Sequence, residues 1–516
     1  MNTAKSNDVV VEHADAEKRR LLPNAVFAVV QVVVTSGVLF LLYWYLLRQL
    51  GAEALGVWTL LMAATSLANI SNLGITGGLV RFVSKYLAKD ETTNAASAIE
   101  TAILTLAIVI GLVGLCMWIP IDWVLGQIIP PNWILEARTI LPYSILALWL
   151  SAVGGAVHSA LEGCHRSDLR SVSTLLSQPI LLVGAVLLTP TLGLKGLAFA
   201  QIVQYILWIG TGWFLLKRQI KALPLVPHRW NKKLFSEMWR YGVNFQIVAI
   251  LLILSEPLAK GLLSYYTNLS SVAYFEMANR LIVQARSVLI SANQVITPYY
   301  AKLNTIDSAK ISHIYLRNLQ LISLTGSVLF ATIIALGPLV SRVWVGHLEI
   351  QFLLFLGMLS LGWFVNTLAA PAYFANLGIA NLGPNVRGHF TIMLGMVLVA
   401  TFVGPWLKPY GSAMAWPIGL VLGSFVIDKG FLKHIHLARH HWARGLKLPH
   451  VLVNFLIGGA AALASFRLLQ TKGSFSMAMA FGCVVTASAL IALFNVRKII
   501  ALIRFNSSPP SQPSVS

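Results

Sequence analysis

The sequence predicts an all-α membrane protein that crosses the bilayer about fourteen times. Hydrophobic residues make up 57% of the 516 and charged residues only 11%, whereas charged residues are about a quarter of an ordinary soluble domain. The apolar residues gather into fourteen runs of spanning length. Their centres lie near residues 34, 65, 108, 150, 180, 206, 252, 285, 328, 360, 396, 418, 460 and 486. Strands of a membrane barrel would instead appear as short alternating segments, which the sequence lacks.

The first apolar run, from about Ala25 to Leu47, follows a polar leader. It is longer than the hydrophobic region of a signal peptide and has no convincing small-residue cleavage site after it, so we expect it to remain as the first helix. At the other end of the chain, the tail NSSPPSQPSVS is rich in Pro and Ser. Such a composition predicts a disordered tail.

The three cysteines are Cys116, Cys164 and Cys483. They are odd in number, far apart in sequence and without metal-ligand spacing, so the sequence predicts neither a disulfide framework nor a zinc site. We interpret them as small apolar side chains. No other motif calls for a cofactor, and we expect none.

The net charge of +20 is distributed in a pattern that predicts topology. Most of the 38 Lys and Arg residues occur in every other connection between the apolar runs. These connections are the leader with EKRR, VRFVSKYLAK, HRSDLR, KRQIKALPLVPHRWNKK, the loop 302–317, Arg387, DKGFLKHIHLARHHWARGLK and the C-terminal RKIIALIR. By the positive-inside rule, both termini then lie in the cytoplasm, which requires an even number of helices. The basic loops are expected to face lipid headgroups rather than a dedicated polyanion site.

The chain also contains an internal repeat. Gly163 ends one helix and Gly378 ends another, about 215 residues later, and KGLAFA and YGSAMA place Gly196 and Gly411 at the same offset. Six helices are therefore duplicated, and because six is even the two copies have the same orientation, so the repeat is parallel. A membrane protein with two such lobes commonly holds its substrate between them.

The repeat and the charge pattern predict the domain organisation. We expect a cytoplasmic leader at 1–21, an N-terminal six-helix lobe at 22–221, a cytoplasmic linker at 222–239, a C-terminal six-helix lobe at 240–430, a basic cytoplasmic loop at 431–449, two appended helices at 450–504 and a disordered tail at 505–516.

Ionisable residues inside apolar runs are candidate functional groups, because charge in a bilayer is costly and usually faces a hydrated interior. The seventh and eighth helices contain two i,i+4 pairs, Glu256 with Lys260 and Glu276 with Arg280. Each pair can form an ion bridge on one helix face. Further polar stripes on the eighth helix extend from Arg280 to Gln284 and through Asn279, Arg286 and Asn293. These residues either line a hydrated cavity or form structural bridges between helices.

Two histidine motifs are weaker candidates. His158 and Glu162 lie one turn apart near the end of the fourth helix and either relay protons or make a helix-end contact. The run HIHLARHHWAR, 434–444, contains four histidines but no acidic or thiolate residue. We therefore favour an interfacial segment over a metal site.

Catalytic motifs are missing from the sequence. It has no G-x-x-x-x-G-K-[ST] phosphate-binding loop, so the chain is not expected to hydrolyse ATP. The longest connection on the opposite side, PIDWVLGQIIPPNWILE, has only Asp122 and Glu136 as acids, far apart. A membrane glycosyltransferase, polymerase or ligase needs positioned acid–base groups or a metal. It therefore remains only an alternative, and we expect the chain not to be an enzyme.

Three segments resemble one transporter family. NLGITGGLVRFVSKYL, ILSEPLAKGLLSYYTNLSSVAYFEMANRL and ITPYYAKL are similar to the oligosaccharide flippases among the polysaccharide exporters of the multidrug/oligosaccharidyl-lipid/polysaccharide (MOP) exporter superfamily. The resemblance implies two lobes around a central cavity, alternating access, and translocation of a polyprenyl-diphosphate-linked oligosaccharide across the bacterial inner membrane. The alternatives within the superfamily are a cation-coupled drug exporter, which usually has twelve helices, and a cell-wall-precursor flippase, which has fourteen.

The resemblance also suggests roles for the candidate residues. Arg81 and Lys85, which share one face of a helix, would meet a diphosphate at the cytoplasmic mouth of the cavity, unless they only extend to lipid headgroups. The full set expected to bind substrate is Arg81, Lys85, Asn279, Arg280, Gln284 and Arg286, and the set expected to couple an ion is Glu256, Lys260 and Glu276. Expected partners are the lipid-linked glycan, membrane lipids and a polysaccharide polymerase or export machinery, with no nucleic acid.

Overall fold

A computed structural model describes residues 2–66, 75–243, 246–307, 309–471 and 473–507. These residues form helices joined by short turns, and no strand occurs among them. The helices are α1 (Asn2–Ser66), α2 (Ile75–Leu87), α3 (Thr92–Ile128), α4 (Pro131–Gly163), α5 (Ser167–Leu192), α6 (Leu194–Gln219), α7 (Lys232–Val243), α8 (Gln246–Tyr266), α9 (Leu269–Gln294), α10 (Thr297–Ile306), α11 (Ala309–Val340), α12 (Ile350–Leu368), α13 (Ala370–Gly378), α14 (Gly383–His434), α15 (Arg439–Gly445), α16 (Leu448–Gln470) and α17 (Ser474–Ser507). A π-helical turn, Ser341–Val345, extends α11.

All fourteen predicted segment centres lie within these helices. Within the described ranges, ten helices are long and apolar enough to cross a membrane. Two of the ten contain a break, at Gly51 (φ 84°) in α1 and at Lys408 (φ 46°) in α14, so each comprises two successive segments. The remaining two predicted spans are α8, which contains Glu256 and Lys260, and α9, which contains Glu276 and Arg280. The prediction of an all-α polytopic membrane protein is confirmed.

The chain divides into two compact units, Met1–Ile253 and Leu254–Ser516. In the first unit, α2 packs against α3, α4 and α7, and α6 packs against both α4 and α5. The core includes Leu79 of α2, Ile99 of α3 and Val157 and Leu161 of α4, each at most 1% exposed. The amphipathic pattern of α2 therefore buries one face and leaves the opposite face available for charge.

In the second unit, α11 packs against α12, α16 and α17, and α12 packs against α9 and α14. The two appended helices are held to α11 by a buried row of polar side chains. Asn495 donates to Asn454 Oδ1 (2.9 Å), and Asn454 donates to Ser327 Oγ (2.8 Å). Such interhelical bonds contribute about 0.6 kcal/mol each in membrane proteins, and they fix the rotation of each helix about its axis.

The glycines that define the repeat have the same packing role in both units. A Cβ atom on Gly163 would lie 2.7 Å from the Cβ of Val83, and one on Gly378 would lie 2.8 Å from the Cβ of Tyr300. In both places the absent side chain lets the end of one helix approach a short neighbouring helix, α2 or α10. The predicted repeat thus has a physical basis in matched close contacts.

The second pair of glycines is equally constrained. A Cβ on Gly196 would lie 2.4 Å from the carbonyl oxygen of Leu188, and one on Gly411 would lie 2.6 Å from that of Val403. Each carbonyl belongs to the residue eight positions before its glycine, in the preceding helical segment. The two turns are therefore built in the same way.

We expect Gly196→Ala to destabilise the protein by about 1–3 kcal/mol, because the new methyl group meets a backbone oxygen that cannot rotate away. The matched control is Gly210→Ala in the same helix, where nothing lies within 4 Å of the new Cβ. That change should be neutral or slightly stabilising. Thermal unfolding of the two purified variants in detergent measures the difference, and equal midpoints would contradict the packing role of Gly196.

Candidate functional site

Four charged side chains of α8 and α9 form one continuous network in the second unit. Within the helices, Lys260 Nζ lies 2.6 Å from Glu256 Oε1, and Arg280 Nε lies 2.6 Å from Glu276 Oε1. Between the helices, Lys260 Nζ lies 2.7 Å from Glu276 Oε2. The i,i+4 spacing sets the first two contacts. The third contact joins the two pairs.

The network is buried in its middle and open at its ends. Lys260 and Glu276 are 2% and 1% exposed, whereas Glu256 and Arg280 are 42% and 47% exposed. The two carboxylates balance the two cations, so the network has no net charge. The buried pair at its centre, Lys260 and Glu276, is important for stability, because removing either partner leaves the other charge buried without a counter-charge.

The start of α9 is fixed by side-chain caps. Asn268 Oδ1 accepts a hydrogen bond from the backbone N–H of Ser271 (2.8 Å), the usual role of an N-cap residue. Gln351 of α12 donates to Ser271 Oγ (2.6 Å). These contacts hold α9 against α12 and so determine which α12 residues face the polar stripe.

Arg286 is held by neutral groups of α12. Its Nε donates to Thr367 Oγ1 (3.0 Å), a terminal nitrogen donates to Asn366 Oδ1 (2.7 Å), and its guanidinium lies 4.6 Å from the ring centre of Trp363. No carboxylate of the described chain lies within 4 Å of it. Arg286 is thus a half-buried cation within a span whose hydrogen-bond partners leave its charge uncompensated.

The other stripe residues differ in their surroundings. Asn279 is 5% exposed and accepts a hydrogen bond from Trp363 Nε1 (2.9 Å), so Trp363 contacts both Asn279 and Arg286. Gln284 is half-buried. Asn293 is buried and accepts from Asn318 Nδ2 (2.9 Å). Asn293 therefore belongs to a packing contact between α9 and α11.

Arg81 and Lys85 lie together on the exposed face of α2, in the first unit. The Lys85 ammonium lies 6.0 Å from the ring of Phe82 and 5.9 Å from that of Tyr86. Ser84 donates to the carbonyl oxygen of Gly163 (2.8 Å), which fixes the rotation of α2 against α4. The predicted shared face is confirmed.

His158 and Glu162 have separate partners. The His158 ring is buried, makes hydrogen-bond contacts with the Gly154 carbonyl (2.8 Å) and Ser173 Oγ (3.0 Å), and stacks on Trp208 at 4.0 Å. Glu162 instead pairs with Arg170. The two side chains therefore belong to different local contacts.

The histidine-rich run spans the end of α14 and most of α15. His440 and His441 are exposed, with ring centres 4.0 Å apart. In the residues that the structure describes, no group of three or more His, Cys, Asp or Glu side chains is arranged to hold a metal ion.

Two buried acids were not predicted as functional residues. Glu100 of α3 is fully buried and accepts the backbone N–H groups of His228 and Arg229 (3.0 Å each), which fastens the chain segment after α6 to α3. Asp428 of α14 is 5% exposed. In the sequence Glu100 stands beside an apolar run, which is a signal for a buried acid, whereas Asp428 begins a stretch rich in basic residues.

A family model described as "Polysaccharide biosynthesis protein" matches residues 21–304. No sequence among the curated proteins matches the chain significantly. Among solved structures, an inward-facing multidrug-resistance MATE transporter of the MOP superfamily shares 13% identity, with a TM-score of 0.68 over 79% of this chain and 98% of the other.

Two further structures have similar folds. The lipid II flippase MurJ, in an inward closed conformation, shares 12% identity with a TM-score of 0.68 over 92% of this chain and 99% of MurJ. A MOP superfamily transporter from Pyrococcus furiosus shares 14% identity with a TM-score of 0.57, over 80% of this chain and 96% of that one. At these identities the comparisons establish a shared fold.

Proposed function

Because the chain belongs to the polysaccharide biosynthesis protein family, we propose that it is a flippase that moves a polyprenyl-diphosphate-linked oligosaccharide across the bacterial inner membrane by alternating access. Both termini would lie in the cytoplasm. The glycan would pass to a polysaccharide polymerase or to export machinery on the far side. The MOP fold and the membrane-spanning architecture support this proposal.

The observation that carries the substrate proposal is the uncompensated charge of Arg286. The Glu256–Lys260–Glu276–Arg280 network is neutral as a whole. The network and Arg286 together therefore carry an excess of one positive charge. A cation in a span is costly unless a counter-charge is supplied. A diphosphate supplies that charge, and the planar guanidinium can bind its oxygens in a bidentate manner.

The remaining substrate-binding predictions fit the same chemistry. Arg280 is the exposed cation at one end of the network and can contact a second phosphate oxygen while Glu276 holds its Nε. Asn279 and Gln284 offer neutral hydrogen-bond groups for sugar hydroxyls. We propose that Arg81 and Lys85, exposed on α2, meet the headgroup on arrival.

Binding of geranylgeranyl diphosphate to the purified full-length protein tests the role of Arg286. We expect Arg286→Gln to weaken binding about 10- to 100-fold, because a hydrogen bond to a charged group contributes about 1.5–3 kcal/mol. Arg286→Lys should fall between the parent and Arg286→Gln, because it keeps the charge and loses the bidentate geometry. Isothermal titration in detergent measures each affinity.

Two controls make this result specific. Geranylgeraniol, which lacks the diphosphate, should bind the parent and Arg286→Gln equally. Arg387→Gln removes an exposed arginine at the start of α14 and should leave diphosphate binding unchanged. Unaltered binding of the diphosphate by Arg286→Gln would contradict the substrate site.

We also propose that Glu256, Lys260 and Glu276 couple substrate movement to an ion gradient. Glu256 is the half-exposed end of the network, and its carboxylate accepts a hydrogen bond from the buried Lys260, so a change at Glu256 is transmitted inward. If Glu256 lost its charge, Lys260 would be paired only with the carboxylate of Glu276 within the network. The consequence for transport is given in the Discussion.

A second candidate function is flipping of a cell-wall precursor. The similarity to MurJ covers 92% of this chain, against 79% for the multidrug transporter, so a larger part of this chain has a structural counterpart in MurJ. A cationic drug is a poorer candidate substrate, because the excess positive charge at Arg286 would repel it. Complementation of bacterial strains that lack either a polysaccharide flippase or a lipid II flippase separates the two glycan substrates.

A further inference from the structure

The segment that follows α6 exposes apolar side chains, although it lies outside the spanning helices. It runs from Ile220 to Asn231, and we refer to these residues as the strap. Leu225 and Val226 of the strap are 79% and 71% exposed, and Trp230 is also exposed. Exposed apolar side chains that lie together mark an interaction surface.

One end of the strap is fixed to α6. The indole Nε1 of Trp213 donates to the carbonyl oxygen of Leu225 (2.9 Å). Trp213 comes before the basic pair Lys217 and Arg218 in the last turn of α6. Because basic residues at the end of a spanning helix mark the level of the lipid headgroups, the backbone of Leu225 is folded back to that level or below it.

The other end of the strap is fixed to α3 by Glu100, which is fully buried. Its Oε2 accepts the backbone N–H groups of His228 and Arg229 (3.0 Å each). The indole of Trp230 then donates to Thr105 Oγ1 (3.0 Å). Thr105 is five residues further from the start of α3 than Glu100, a distance of about 7 Å at ~1.5 Å per residue. The Trp230 side chain therefore extends along α3 into the span.

The helix α7 continues this surface beyond the strap. It packs against α2 and α3, and its Leu234 and Met238 belong to the core that these helices share. On another side of α7, the ring of Phe235 lies 5.8 Å from that of Trp230 and 6.0 Å from that of Trp239. Trp230 and Trp239 are both exposed. An aromatic row therefore runs from the strap onto α7 along the outside of the first unit.

The charge of the strap and its flanks is entirely positive. The sequence from Lys217 to Lys233 contains six Lys and Arg residues and no Asp or Glu. Arg229, Lys232 and Lys233 are exposed. Exposed aromatic and aliphatic side chains beside cations are typical of a segment that lies in the interface of an anionic membrane.

We propose that the strap is a membrane anchor for anionic phospholipid. It inserts the side chains of Leu225, Val226 and Trp230 between the headgroups of one leaflet, and the basic residues that flank them bind the lipid phosphates. The partner is a lipid surface rather than another protein, because both ends of the strap are held at the depth of spanning helices. On the proposed topology this is the cytoplasmic leaflet. The anchor does not depend on the identity of the transported substrate.

A spin label on the purified full-length protein in lipid nanodiscs tests this anchor. In a background with Cys116→Ala, Cys164→Ala and Cys483→Ala, the label is attached through Leu225→Cys. The control is Ser236→Cys, which places the label on an exposed polar side of α7. Collisions of the label with oxygen, which concentrates in lipid, and with a neutral water-soluble nickel chelate measure its depth.

In nanodiscs of phosphatidylcholine with phosphatidylglycerol, we expect the label at Leu225 to collide more with oxygen than with the nickel chelate. The label at Ser236 should show the reverse. The Leu225 side chain is so exposed that its replacement should leave the fold unchanged, and the same thermal-unfolding midpoint for both labelled proteins checks this. A Leu225 label as accessible to the nickel chelate as the Ser236 label would overturn the anchor and leave a surface open to a protein partner.

Lipid composition tests the preference for anionic headgroups. In nanodiscs of phosphatidylcholine alone, we expect the Leu225 label to become more accessible to the nickel chelate. The double change Lys232→Gln, Lys233→Gln should remove this difference between the two compositions, whereas Arg387→Gln, which removes an exposed arginine of the second unit, should retain it. Identical accessibility in both compositions would contradict binding of anionic lipid. None of these measurements involves transport, so failure here would leave the flippase proposal intact.

Discussion

Glu276→Gln is expected to lower the stability of the protein by about 3–5 kcal/mol, the usual cost of breaking a buried ion pair. Glu276 is 1% exposed and contacts both Lys260 and Arg280. Its removal leaves two cations and a single carboxylate, Glu256, in the network, and one of the cations, Lys260, is 2% exposed. The yield of monodisperse protein and its thermal-unfolding midpoint measure the loss.

Two further variants identify the cause of that loss. Glu256→Gln removes the half-exposed carboxylate of the same network and should cost no more than about 1 kcal/mol. In the double variant Glu276→Gln, Lys260→Met, the buried cation is replaced by an apolar side chain of similar length, which should restore part of the stability. A double variant no more stable than Glu276→Gln alone would show that the unpaired Lys260 charge is not the cause.

Glu256→Gln is expected to abolish the dependence of transport on a pH gradient while leaving substrate binding largely intact. The amide is close in shape to the carboxylate but has no ionisable proton, so its contact with Lys260 no longer changes with pH. Translocation of a lipid-linked glycan in vesicles, with and without an imposed gradient, measures the effect.

The matched control is Glu162→Gln, which neutralises a partly exposed acid paired with Arg170 in the first unit. This variant should retain the gradient response of the parent. Equal gradient-driven transport by Glu256→Gln and the parent would remove the coupling role and leave Glu256 as a structural partner of Lys260.

The i,i+4 ion pairs were predictable from the sequence because helical geometry alone brings residues four apart together. The contact between Lys260 and Glu276 was not, since it depends on how α8 and α9 pack. The same limit applies to Arg286, whose partners Asn366 and Thr367 are about 80 residues away in the chain. Local spacing therefore predicted the pairs within each helix, while tertiary packing determined how they join.

The repeat was predictable for a different reason. A close contact between helix backbones requires a glycine, and that requirement is visible in the sequence. Gly196 and Gly411 both make such contacts, at the same spacing as Gly163 and Gly378. No comparable sequence pattern identifies Asp428 as a buried residue. Asp428 precedes a run rich in Lys and His, a composition that predicts a loop. In the structure the helix continues to His434, and Asp428 is buried.

Translocation of a fluorescent polyprenyl-diphosphate-linked oligosaccharide in proteoliposomes tests the central proposal most directly. An impermeant quencher reports the fraction of label in the outer leaflet over time. We expect vesicles with the parent protein to equilibrate the label between leaflets at a rate proportional to the amount of protein, and vesicles with Arg286→Gln to behave like protein-free liposomes. Parent protein that is folded and reconstituted, yet moves the labelled glycan no faster than protein-free liposomes do, would contradict the flippase function.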